Sequence, residues 1–149
     1  MSRSILGPST GFDIPTQTVQ LTAHAALVTG DVVGVLTTTV ASERMTTTKA
    51  AAGAATLASN AEIIVVAMED IDSGAVGTFA WEGIIDVQCV TTGLDVGDYL
   101  IADNGATLAL IAADVDEFKI VGICLEDNAA TGPVKCLFNG LYGLGSAIV

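Results

Sequence analysis

The chain has 149 residues, 51% of them apolar and only 15% charged, which fits one domain or two closely similar β-modules fused into one body. Its net charge is −12, and the five Lys/Arg are scattered at Arg3, Arg44, Lys49, Lys119 and Lys135, so the phosphate-neutralising clusters of nucleic-acid binders are missing. No apolar run approaches the roughly 20 residues of a membrane helix, and no apolar stretch follows Arg3 as a signal peptide requires.

In chain order, residues 1–20 show no clear period and carry Gly7, Pro8, Gly11 and Pro15. Proline fixes φ and drives its predecessor out of the α region, so this stretch is expected as an extended N-terminal arm. From Val19 onward, short β-type runs alternate with Gly, Asp and Asn turns, and residues 21–149 read as a single β-barrel-like domain. Strands are expected near 19–23, 31–39, 63–67, 76–81, 84–90, 99–102, 119–125 and 134–138. The breaks fall at Thr29-Gly30-Asp31, Asp72-Ser73-Gly74, Thr92-Gly93, Asp103-Asn104-Gly105 and Thr131-Gly132-Pro133. Asn104-Gly105 suits a tight type I′ turn, which needs positive φ at both central residues. Residues 49–57 are Ala-rich but interrupted by Gly53 and read as a loop; 104–114 suit either a strand or one helical turn.

The chain echoes itself over 30–83 and 97–140. Gly30-Asp31-Val32-Val33 matches Gly97-Asp98-Tyr99-Leu100, and Glu69-Asp70, Gly74 and Gly83 match Glu126-Asp127, Gly132 and Gly140. The spacing is longer in the first copy, so the Thr/Ala-rich stretch 37–61 reads as an insertion. Two such units closing on one another bury both apolar faces and remove free edges. The expected class is all-β, a compact β-barrel or sandwich built from two similar β-units with an extended arm.

Catalytic chemistry fails at the inventory. The lone histidine, His24, has no Cys or carboxylate near it in sequence, and zinc-ligand spacing is absent. Asp70 and Asp72, and the cluster Asp114, Asp116 and Glu117, lack the glycine-containing loop of an EF-hand and read as solvated turn carboxylates. The pairs Glu69-Asp70 and Glu126-Asp127 close strands, where Asp bonds its own backbone in turns. Gly140, Gly143 and Gly145 are not followed by the Lys-Ser/Thr of a phosphate loop. Cys89, Cys124 and Cys136 are odd in number, without C-x-x-C spacing, and sit in apolar runs as small buried hydrophobes. The expectation is a protein that is not an enzyme and holds no cofactor or metal.

So little charge leaves much of the surface to Thr, Ser, Gly and Ala, and the simpler account is that partners cover part of it. For an arm laid on a larger surface the candidates are Ile5, Leu6, Phe12 and Ile14, the apolar groups of that segment. For contacts between copies they are Trp81, Leu141, Tyr142 and Leu144, since aromatic residues are enriched at interface hot spots and the tail 141–149 carries no charged side chain.

The Gly-Asp-apolar turn, the stretch Val121-Gly122-Ile123-Cys124-Leu125-Glu126-Asp127 with Gly132 and Val134, and the stretch from Met68 to Thr78 together resemble the capsid cement, or decoration, proteins of tailed bacteriophages. The likeness spans roughly residues 23–140. It implies a β-barrel-like virion protein, assembled in the host cytoplasm, that trimerises on the outer face of an icosahedral shell. There it binds the major capsid protein and staples neighbouring subunits, with the arm along the shell; nucleic acid and membrane are not expected partners. Two alternatives remain: another oligomeric virion β-domain, such as a tail tube or fibre base, and a trimeric β-barrel nucleotide hydrolase.

Overall fold

Period-two alternation decides which side chains enter the interior. Along Gly132–Asn139, Val134, Cys136 and Phe138 are buried while Pro133 and Lys135 are exposed, as a half-buried strand requires. The computed structural model of the chain describes residues 15–36, 46–49, 63–103, 107–110, 118–141 and 145–147. Its strands are β1 (Gln17–Ala23), β2 (Val32–Leu36), β3 (Thr46–Lys49), β4 (Ile64–Ala67), β5 (Val76–Cys89), β6 (Tyr99–Asp103), β7 (Thr107–Leu110), β8 (Phe118–Ile120), β9 (Gly122–Cys124), β10 (Gly132–Asn139) and β11 (Gly145–Ala147). The described residues contain no helix, and the all-β class expected from the sequence is the class observed.

Nine strands form one curled, mostly antiparallel sheet in the order β1-β3-β2-β4-β5-β10-β9-β6-β7, with further β1–β5 and β5–β7 pairings. Those two pairings bring each end of the sheet back to β5. The result is two five-stranded groups sharing that strand: β1 to β4 on one side, β6, β7, β9 and β10 on the other. Their registers run in parallel. Val32 faces Val66 across β2 and β4, and Tyr99 faces Ile123 across β6 and β9. Ala67 faces Phe79, and Cys124 faces Cys136.

Both groups open on the same turn. Gly30 and Gly97 adopt φ of 90° and 99°, a region that favours glycine. The Gly30 amide donates to the Ala67 carbonyl at 2.8 Å and the Gly97 amide to that of Cys124 at 2.8 Å. The Asp31 carboxylate accepts from the Val28 amide at 3.0 Å, and that of Asp98 from the Asp95 amide at 2.9 Å. These side-chain bonds close each turn before its strand begins.

Strand β5 serves both groups because it changes facing midway. Ala80 lies in the same cluster as Ile85, Val87 and Cys89, which demands a parity shift between them. Opposite β1 the register slips, so that Gln17 faces Glu82 but Thr18 faces Ala80, leaving Trp81 as the extra residue of a bulge. Gly83 follows at φ 141°, where an added Cβ would lie 2.9 Å from the Thr16 Cα. The sequence suggested two strands, 76–81 and 84–90, divided at this glycine. The chain instead bends and continues as one.

Other boundaries also differ from expectation. The strand expected at 119–125 is divided into β8 and β9 at Val121, whose amide turns aside to the Leu100 carbonyl. Thr46–Lys49, where no strand was expected and whose Lys49 opens the stretch 49–57 read as a loop, is strand β3 against β2. Thr107–Leu110, left between strand and helical turn, is strand β7. β1 begins at Gln17, within the stretch 1–20 assigned to the arm, and β11 pairs with β8 in a separate two-stranded sheet.

Two apolar clusters result. One lies within the first group: Leu21, Ala23, Leu27, Val33, Val35, Val65, Ala67, Ile71 and Phe79, with Val19, Ile63, Ala75 and Trp81 packed against it. The other joins the groups: Val32, Ile64, Val66 and Ala80 contribute the outward side of the first, while Leu94, Leu100, Val121, Cys124, Cys136 and Phe138 fill the second.

Candidate docking recess

Among the described residues, the first group is closed at one end and open at the other. At the closed end the Leu27 and Ile71 backbones exchange hydrogen bonds at 2.8 and 2.9 Å, and Asp70 ties in the neighbouring turn. Its carboxylate accepts from the Thr29 amide at 2.8 Å and the Thr29 hydroxyl at 3.0 Å, bonds that hold the acid below its ordinary range. In the second group Asp127 likewise accepts from the Val96 amide at 3.0 Å. Glu126 caps the strand opposite, taking the Lys135 amide at 2.8 Å. Asp70 and Asp127 thus hold turns, and Glu126 caps a strand.

At the open end lies an apolar recess of about 140 Å³, lined by Val19, Leu21, Val35, Ile63, Val65, Trp81 and Leu141. Val65, Leu21 and Val35 form its buried floor, and the half-buried Val19, Ile63, Trp81 and Leu141 its rim. Each element positions its contribution for a reason. The bulge in β5 supplies Trp81; the period of β1 aims Val19 and Leu21 the same way. Leu141 is brought across by Gly140, whose amide donates to the Trp81 carbonyl and whose carbonyl accepts from the Ile64 amide, both at 2.9 Å.

The two groups differ at this position. By register, Phe138 on β10 occupies the place that Trp81 takes on β5, counted from the Cys124–Cys136 and Ala67–Phe79 pairs. Phe138 is completely buried, in a cluster that includes Ile64 and Val66 of the first group. No described residue of this chain covers Trp81 in the same way.

Among the residues singled out from sequence, Trp81 and Leu141 therefore share one apolar recess. Tyr142 and Leu144, and the arm candidates Ile5, Leu6, Phe12 and Ile14, lie outside the described residues, as do Asp114, Asp116 and Glu117. Val19, Val35 and Ile63 were not singled out: each reads as an ordinary strand residue until the pairing of β1, β2 and β4 places them side by side. Other exposed apolar side chains, among them Val28, Val96 and Tyr99, need no partner when scattered.

Among the described residues, no three His, Cys, Asp or Glu stand where they would hold a metal ion. His24 is exposed after β1, its carbonyl accepting from the Ser73 hydroxyl at 3.4 Å. The three cysteines are buried thiols; burial pushes Cys124 up and Cys136 up to about 12, so neither is a ready nucleophile.

No protein-family model and no curated protein matches the chain. Among solved structures the chain is similar to the head fiber gp8.5 N base of bacteriophage phi29, with a TM-score of 0.56 and 13% identity, over 88% of this chain and 99% of that one. At this identity the likeness is one of fold.

Proposed function

We propose that this chain is a structural protein of a phage virion that binds the outer surface of an icosahedral capsid as a homotrimer and stabilises the joints between major capsid subunits. The observation that carries the reading is the fold, which a phage head-fibre base shares across nearly its whole length. Two features of the chain support it. An apolar recess rimmed by a tryptophan suits packing against protein, since Trp is over-represented among residues that dominate binding energy. Asp31, Asp70, Asp98 and Asp127 are engaged in turns and Glu126 with a strand amide, which accords with a protein that acts without catalysis.

Joints of this kind work by repetition. Each buried Å² of apolar surface contributes about 25 cal/mol, less the entropy of ordering arms and side chains, and many equivalent sites make a modest contact collectively strong. Quantitative mass spectrometry of purified particles tests the reading. A copy number comparable to the major shell protein, with trimers by sedimentation, is the expected result; absence from the particle would overturn it.

A second reading is favoured by the same neighbour: the domain is the base of a fibre, holding a projecting assembly on the head. It predicts far fewer copies per particle. Removing residues 2–14 is expected to weaken attachment to shells under either reading, and unchanged occupancy would remove the arm from the account.

A further inference from the structure

We propose that Cys124 on β9 and Cys136 on β10 form a disulfide when the chain meets an oxidising small-molecule disulfide, and that this bond locks the second group. The device belongs to the chain alone and does not rest on attachment to a shell.

Register and hydrogen bonding together place the pair. Cys124 and Cys136 face one another directly across the antiparallel strands β9 and β10. The Cys124 amide donates to the Asp98 carbonyl and the Cys124 carbonyl accepts from the Gly97 amide, both at 2.8 Å, so its backbone groups are turned away from β10. The bond to β10 comes from the next residue, the Leu125 amide donating to the Lys135 carbonyl at 2.9 Å. This is the non-hydrogen-bonded class of antiparallel pair, in which the Cα atoms lie about 4.5 Å apart and the side chains are closest. A disulfide needs a Cα separation of roughly 4.4–6.8 Å. Both side chains are fully buried in one apolar cluster, so both leave the sheet on the same face. Cys89 is placed differently, facing Gly132, four positions along β10 from Cys136. The matching pair in the first group is Ala67 and Phe79. This position therefore packs without sulfur, and two thiols meeting there are not a demand of the fold.

The bond forms by thiol–disulfide exchange. The Cys124 thiol loses its proton to water and attacks one sulfur of the small disulfide, forming a mixed disulfide and releasing one small thiolate. The Cys136 thiol then loses its proton and attacks the Cys124 sulfur, closing the protein disulfide and releasing the second small thiolate. Each released thiolate takes up a proton, and the two electrons lost by the cysteines end on the reagent. Burial keeps both thiols protonated in the closed fold, so exchange proceeds through local opening of β9 and is slow. Once closed, the bond spans the loop 125–135. Asn128 in that loop holds the segment after β5: its Oδ1 accepts from the Leu94 amide at 2.8 Å and its Nδ2 donates to the Thr91 carbonyl at 3.1 Å. Locking β9 to β10 thus secures residues 91–94 as well.

Trypsin cleaves after Lys119 and Lys135, which puts Cys89, Cys124 and Cys136 in three separate peptides. The full chain, unfolded and reduced, is refolded in a buffer of oxidised and reduced glutathione, quenched in acid, alkylated and digested without reductant. Refolding removes the kinetic barrier of the closed core. The expected product is peptide 120–135 joined to 136–149, at least about tenfold more abundant than any link to Cys89. The oxidised chain should melt roughly 5–10 °C above the reduced one. Links to Cys89 in comparable amount overturn the proposal, and so do thiols that stay reduced at the highest ratio of oxidised glutathione. A Cys89→Ala variant should oxidise to the same extent as the parent; loss of the bond in that variant also counts against the pair. An oxidised chain that melts no higher than the reduced one refutes the claim that the strands are already placed for the bond. All these measurements use the isolated protein, so they succeed or fail independently of capsid binding.

Discussion

The Gly140→Ala substitution adds one methyl group where three strands meet. Gly140 is buried at the end of β10, its amide bonded to Trp81 and its carbonyl to the Ile64 amide, each at 2.9 Å. A Cβ built on this backbone collides with the Ile64 carbonyl and lies 2.9 Å from the tip of the Phe138 ring. The ring is itself fully buried and has no free direction in which to move. Relief therefore requires β4 and the end of β10 to part. Overpacking of this kind costs about 1–3 kcal/mol, and a buried peptide group left without its partner adds about 1–3 kcal/mol. An expected loss of about 3 kcal/mol corresponds to a fall in Tm of roughly 6–12 °C for a chain of this size. Gly74→Ala is the control: its Cβ would meet nothing within 4 Å, and only the φ of 82° resists it, a cost of roughly 1–2 kcal/mol. Circular dichroism melts of both variants give the comparison. A Gly140→Ala protein melting within about 2 °C of the parent would refute the claim that the junction of β4, β5 and β10 is rigid.

Phe138→Ala removes a fully buried ring from the cluster shared by both groups and should cost about 3–5 kcal/mol in urea unfolding. Trp81→Ala, at the half-open rim, should cost clearly less; equal losses would mean the two positions are packed alike. Asp70 is held below its ordinary pKa, so its bonds to Thr29 stabilise the fold above the unfolded value of 3.8 and that contribution is lost as pH falls through the folded value. The stability gap between parent and Asp70→Ala should accordingly be flat from neutral pH to about 5 and narrow below 3.8; a gap that widens in acid would contradict the assignment. With Cys136 pushed up to about 12 and all three cysteines buried, a thiol reagent at pH 8 should find no fast-reacting group until denaturant is added. A single thiol that reacts at once in the native protein would show that the second core is open.

Strand positions were legible where apolar residues alternate and where a turn needs a particular residue. Gly30-Asp31 and Gly97-Asp98 stand out in the sequence because each turn needs both positive φ and a carboxylate closing it. β5 was misread at Gly83 because glycine marks a turn and a bulge with the same letter, and only the slip opposite β1 separates them. β3 was missed because Thr46–Lys49 carries no apolar alternation; its place is decided by β2 and β1 on either side. The recess was legible in part. Trp81 and Leu141 were singled out for their type and for the uncharged tail, but their meeting depends on the two hydrogen bonds of Gly140, a contact far apart in sequence.

Sharing β5 has a consequence for the two ends of the molecule. The outward side chains of the first group, Ile64 and Val66, lie in one cluster with Phe138 and so help to seal the second group. Among the described residues, nothing does the same for Trp81 in the first group. Among the described residues, a pair built this way has one sealed mouth and one apolar recess. An apolar recess rimmed by tryptophan is unfavourable in water, so cover from another copy or from a partner would stabilise the fold. The fluorescence of Trp81 separates these cases: acrylamide quenching that rises on dilution selects a second copy. Protection that arises only on particles selects a partner.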